Sequence, residues 1–125
     1  MKNPALLSLI LITFLSAPAL ARDKTDSGGL ANGDRITGEI KQLEHGKLRV
    51  GTDSLGQVLV EWDDISRIES DYQFQFERTD GTRVTGTIEK TPNQQEITLV
   101  DDAQTVSFAH ENVVRISQIE DTFWN

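Results

Sequence analysis

"NGDRITGEI", residues 32–40, and "DGTRVTGTI", residues 80–88, are one phrase written twice, forty-eight positions apart. Gly33, Arg35, Thr37, Gly38 and Ile40 meet their own residue types at Gly81, Arg83, Thr85, Gly86 and Ile88. A second segment recurs at the same offset: "DDISRI" at 63–68 returns as "ENVVRI" at 111–116, matching Ile65, Arg67 and Ile68 to Val113, Arg115 and Ile116. Two segments that match at a single offset mark a tandem repeat of one supersecondary unit.

Outside the repeated phrase the apolar residues keep a period of two, the spacing of a strand with one face buried. "RITGEIK" sets Ile36, Gly38 and Ile40 on one face and Arg35, Thr37, Glu39 and Lys41 on the other. "KLRV" and "VLVEW" turn Leu48, Val50, Val58, Val60 and Trp62 inward, and "YQFQF", "RVTGTI", "EITLV" and "TVSF" continue the pattern in the second repeat. "EHG" at 44–46 and "DSLG" at 53–56 supply turns. Helical spacing is absent after the first twenty-odd residues, apart from single turns at "WDDIS" and "AHENV". The expectation is an all-β protein of two five-stranded meanders with little helix. Trp62, Val60, Ile65, Ile68, Phe108, Val113 and Ile116 are the expected core, and the weakest strand is the one that "SGGLA" would supply.

Within the phrase, Asn32-Gly33 and Asp80-Gly81 are dipeptides of tight hairpins, read here as two-residue turns with positive φ at both central positions. Five residues later Gly38 and Gly86 sit on the inward face, where a glycine marks a bulge or the corner at which a sheet folds over itself. Asn32, Gly33, Gly38, Asp80, Gly81 and Gly86 are therefore structural turn and bend positions. The phrase encodes a hairpin and bend, used twice to close two small barrels or to curl two halves of one sandwich.

The N-terminus reads differently. "MKNPALLSLILITFLSAPALA" has a basic start at Lys2, an apolar run from Ala5 to Leu20, and small residues at Ala19 and Ala21. That is the pattern of a signal peptide cleaved after Ala21; Ser8, Thr13, Ser16 and Pro18 interrupt a run that a membrane span would need unbroken for about 20 residues. The expected organisation is a signal peptide over 1–21, a polar linker over 22–29, a first repeat over 30–70, a second over 71–119 and a tail over 120–125. Cleavage removes Lys2 and no acid, so the net charge falls from -8 to -9. An acidic, exported chain is a poor partner for nucleic acid, which is bound by clustered cations. The chain has no cysteine, hence neither a disulfide nor a lipidation site at the cleavage point.

These residues resemble two families. The strand order and the closing "I..I" look like a small barrel of the Sm-like or Src-homology-3-like type. More specifically, "LANGDRITGEI", "VEWDDISRIES", "DGTRVTGTI" and the terminal "DTFWN" behind a signal peptide resemble the N-terminal periplasmic region of the salt-induced outer-membrane protein family. The resemblance implies two tandem Sm-like β-barrel repeats in the periplasm, associated with the outer membrane or its components. Members continue into a transmembrane β-barrel that starts near a Phe-Trp-Asn-Gly phrase, which makes Phe123 and Trp124 membrane-interface candidates. The alternative for that pair is to fold back over an open barrel end. Residues 120–125 are fewer than the roughly 9–11 that one barrel strand needs.

Chemistry-bearing patterns are sparse. His45 and His110 stand far apart, without a Cys nucleophile, a G-x-S-x-G elbow or paired zinc spacing, so neither catalysis nor a metal or other cofactor is expected. Asp63-Asp64 and Asp101-Asp102 lack the spacing of a calcium loop and are expected in turns, with Asp63 or Asp64 capping the turn before Ile65. One cluster stands out. Arg35 and Lys41 on one strand and Lys47 and Arg49 on the next would form a basic face on an acidic protein, able to meet the phosphates of lipopolysaccharide or phospholipid unless Glu39 and Glu61 neutralise them. The expected role is a non-enzymatic binding or scaffolding module of an outer-membrane-associated protein. The alternatives are a free-standing periplasmic binder of an anionic lipid, lipopolysaccharide or peptidoglycan and, disfavoured by the signal peptide, an Sm-like nucleic-acid binder.

Overall fold

The computed structural model describes residues 22–90 and 95–119. Ten strands follow in chain order: β1 Asp26–Leu30, β2 Arg35–Glu44, β3 Lys47–Gly51, β4 Gln57–Glu61, β5 Ile65–Glu69, β6 Gln73–Arg78, β7 Arg83–Ile88, β8 Glu96–Val100, β9 Thr105–Ala109 and β10 Val113–Gln118. Single 3-10 turns at Trp62–Asp64 and His110–Asn112 precede β5 and β10. The protein is all-β, and every pairing is antiparallel.

The two repeats carry the same strand order. The first runs β5-β1-β2-β3-β4 and the second β10-β6-β7-β8-β9. Even the register is shared, since Asp26 faces Gly38 as Phe74 faces Gly86. The repeats do not stand apart. The ten-residue β2 gives one edge to β3; its other edge serves β1 along the first half and β10 along the second, where Leu43 pairs with Ile116 and Gln42 with Ser117. The result is one continuous ten-stranded sheet that does not close on itself. Its buried side chains form a single core drawn from both repeats, with Phe74, Phe76, Leu48, Ile97, Leu99 and Ile116 at its centre. Of the expected core, Trp62, Ile65, Ile68, Phe108, Val113 and Ile116 are buried and Val60 is half-buried against them.

Three details differ from the sequence reading. Residues 26–29, expected in the linker, belong to β1, which lies between β2 and β5. The alternation of β2 breaks at a bulge: Ile40 faces Val50 but Gln42 faces Arg49, so Lys41 is the extra residue and Leu43 takes the inward place. Glu39, expected outward, is buried.

A further difference concerns the hairpins. At Asn32-Gly33 the Gly33 N–H donates to Leu30 O at 2.9 Å and the Leu30 N–H to Asp34 O at 2.8 Å, enclosing a three-residue loop. Gly81 to Arg78 O and Arg78 to Thr82 O repeat it, each at 2.9 Å. Only the glycines are left-handed, Gly33 at φ +96° and Gly81 at +87°, while Asn32 and Asp80 accept the N–H groups of Asp34 and Thr82 on their side-chain oxygens. These are type I turns closed by a glycine bulge, not two-residue turns. The two-residue form occurs instead at His45-Gly46, with φ +55° and +76° between the paired Glu44 and Lys47.

Gly38 and Gly86 mark close backbone crossings. A Cβ on Gly38 would lie 2.2 Å from Gly51 O, and one on Gly86 would lie 2.9 Å from Val100 O. In each case a neighbouring backbone carbonyl fills the space a side chain would need, one of the uses of a glycine within a strand.

Candidate functional site: the seam between the repeats

Trp62 and His110 occupy equivalent positions, each opening the 3-10 turn of its repeat. Each preceding strand delivers its ring to the same point. The rings stack with centroids 4.0 Å apart and planes 11° from parallel. Trp62 Nε1 donates to His110 O at 3.1 Å, and His110 Nε2 lies 3.2 Å from Trp62 O. A carbonyl can only accept, so Nε2 carries the proton. The exchange is reciprocal, as across a local two-fold axis. Burial holds the imidazole below its usual pKa, against the opposing pull of the Trp62 carbonyl and the charges of Asp63 and Glu111.

Open clefts flank this stack. One is bordered by Asp63, Ser66, Glu96, His110 and Glu111, the other by Glu44, Glu61, Trp62, Glu77 and Arg115. Both are acid-rich. Among the described residues no three His, Cys, Asp or Glu side chains are arranged to hold a metal ion. Neither Asp63 nor Asp64 caps the turn before Ile65: Glu61 holds the N-cap position without a side-chain bond. Asp101 does act in its turn, accepting the N–H groups of Ala103 and Gln104.

A second polar cluster binds the start of the described chain to its end. The Arg22 guanidinium lies 4.4 Å over the Tyr72 ring and donates through Nη2 to Ile119 O at 3.2 Å, while Tyr72 Oη accepts the Asp23 N–H at 3.1 Å. Asp26 is wholly buried; its Oδ2 accepts the Ile40 N–H at 2.9 Å and its Oδ1 has no hydrogen-bond partner. Burial raises the Asp26 carboxyl above its ordinary pKa, opposed by Ser70, the Ile40 N–H and Arg22. Its neighbour Glu39 goes the other way. Burial acts to raise it, but the Gln118 amide at 2.8 Å, Lys41 at 3.2 Å and Arg22 together hold it low.

Three of the four basic candidates face carboxylates. Arg35, at the start of β2, pairs with Glu69 at 3.7 Å, whose carboxylate also holds Arg67 at 2.8 Å. Lys41 turns to Glu39 and Lys47 pairs with Glu61 across β3 and β4. Arg49 stands between Gln42 and Leu59, and it borders one shallow depression together with Lys47. Phe123 and Trp124 lie outside the described residues.

Sequence reasoning missed the Trp62–His110 stack and the burial of Asp26. The first had a signal, because the two residues stand forty-eight positions apart, the offset of the repeat itself. Comparison of the chain with protein-family models, with curated proteins and with solved structures finds no match.

Proposed function

We propose that this chain is an exported, non-catalytic β module with a binding or scaffolding role in the periplasm, associated with the outer membrane, each repeat being an Sm-like five-stranded unit left open. The strand order β5-β1-β2-β3-β4, repeated in both halves, supports the Sm-like description. The observation that carries the role is the commitment of the seam's chemistry to joining the repeats. The imidazole of His110 is stacked and hydrogen-bonded, and Arg115 and Gln118 of β10 reach across to Glu44 and Glu39 of β2. A side chain so engaged positions strands rather than protons. Export is supported by the signal-peptide pattern of residues 1–21, after which Arg22 would be the first residue. A mature chain beginning there keeps every contact to Tyr72 and Ile119 described above.

The test is intact-mass spectrometry on the chain produced in a bacterium with two membranes, combined with osmotic-shock fractionation. A mass reduced by residues 1–21 in the periplasmic fraction is expected. Full-length protein confined to the cytosol would overturn the reading.

A further inference from the structure

We propose that β4 is a self-complementary docking edge, through which two molecules of this chain pair antiparallel about Leu59. Among the described residues β4 is hydrogen-bonded on one side only, to β3, which leaves a row of backbone donors and acceptors on the other. Such edges are ordinarily protected by proline, lysine, a bulge or an inward charge. Gln57–Glu61, "QVLVE", has none of these. It also carries exposed apolar side chains, Leu59 at 55% and Leu55, in the turn before it, at 72%.

The second repeat serves as an internal control. At the positions equivalent to Leu55 and Leu59 it has Ala103 and Ser107. Because β9 occupies the same place in the same fold, the fold itself does not require leucine there. Of these two equivalent strands, β4 is the one with exposed leucines on it and in the turn before it.

The occupant follows from the symmetry of the strand. "QVLVE" reads nearly alike in both directions about Leu59. An antiparallel pair centred there sets Leu59 against its own copy, Val58 against Val60 and Gln57 against Glu61. The Gln57 amide then donates to a carboxylate already neutralised on its own molecule by Lys47. The half-buried Val58 and Val60 become covered on their open side, and the stem of Arg49, beside Leu59 on β3, extends the apolar row. A two-residue slip would put Leu59 against Glu61, and a parallel pair would bring Glu61 against Glu61, so this register is the favoured one. Two such strands bury less than a standard protein interface, which makes the association concentration-dependent, in the micromolar range or weaker.

Sedimentation equilibrium of the processed chain from about 10 µM to about 1 mM should show the mass rising from that of the monomer to twice that value. Leu59→Ser, which gives β4 the residue that β9 already has, should raise the dissociation constant at least ~10-fold with an unchanged circular dichroism spectrum. Since the chain has no cysteine, Leu59→Cys should form a covalent dimer under mild oxidation. Ser107→Cys should stay monomeric. A wild-type mass that remains monomeric throughout, a mass that grows past the dimer as a head-to-tail contact would, or equal cross-linking of the two cysteine variants would each overturn the proposal.

Discussion

Trp62 and His110 each donate a ring N–H to the other's backbone carbonyl while their rings stack 4.0 Å apart. The contact couples two residues that the repeat makes equivalent, so this pair of side chains joins the β2–β10 pairing in tying the two halves of the sheet together. Truncating buried Trp62 to Ala removes a large aromatic from the shared core and should cost about 3–5 kcal/mol. His110→Ala, at a half-buried position, should cost about 1–2 kcal/mol. Because the partners touch, the double variant should fall short of the sum by about 1 kcal/mol or more in urea denaturation. Strict additivity would mean that the stack contributes no coupling.

The glycines of the bends and of β1 differ in what a methyl group would meet. At Gly38 it would collide with backbone at 2.2 Å, and at Gly86 with backbone at 2.9 Å. Backbone in a paired strand cannot step aside, so Gly38→Ala should lose about 3 kcal/mol and Gly86→Ala about half as much. At Gly28 the nearest atoms are the Ile36 Cγ2 at 3.4 Å and the Ile65 Cδ1 at 3.8 Å, ordinary contacts. Gly28→Ala should therefore be neutral or stabilise by up to about 1 kcal/mol, since alanine restricts the unfolded chain. Thermal midpoints of the three variants check the order; Gly28→Ala as the most damaging would refute it.

The buried groups set opposing pH dependences. His110 is held below its ordinary pKa, so the unfolded chain binds protons that the native state resists. Its contribution is complete above the unfolded value of about 6.5 and is lost as the pH falls below it through the native value. Asp26 has a raised pKa, so its native carboxyl takes up protons first and its burial penalty is relieved on acidification. Glu39 and Glu69, both lowered, lose their stabilisation as the pH drops through their native values. Two substitutions separate these effects. His110→Phe, which keeps an aromatic ring for the stack, should flatten the stability profile between pH 7 and the pH below which the imidazole charges. Asp26→Asn should raise the urea midpoint at pH 7, with an advantage that shrinks at lower pH. Parallel profiles for wild type and variants would exclude both assignments.

How much of this was legible depended on where the two repeats agree. Gly38 and Gly86 stood out in the sequence because each is the only small residue on the inward face of a strand with apolar alternation, and each meets a close neighbouring backbone. The strand β1 was legible only weakly, at "SGGLA", since Asp26 and Gly28 stand where the second repeat has Phe74 and Phe76, and "DSGGL" carries neither β-branched nor aromatic residues to signal a strand. Its pairing is imposed by β2 and β5 on either side. The inward turn of Leu43 was hidden by the bulge at Lys41, because a single inserted residue reverses the alternation that the reading relied on. Lys41, the extra residue of that bulge, pairs with Glu39 at 3.2 Å.

The pairing of these cations with carboxylates has a measurable consequence for anionic surfaces. Lys41, Lys47 and Arg35 each face a carboxylate, and a phosphate group would have to displace Glu39, Glu61 or Glu69 to reach them. The exposed Lys47–Glu61 pair contributes under about 1 kcal/mol to stability, yet all three pairs cancel the local field that steers an anion inward. The processed chain, acidic overall, should therefore remain in the supernatant when sedimented with vesicles rich in anionic phospholipid at about 0.15 M salt, where a Debye length of about 8 Å screens the remaining charge. Lys47→Glu together with Arg49→Glu should leave that result unchanged. Co-sedimentation of the wild type that disappears in the double variant would instead restore the face of β2 and β3 as a lipid-binding site.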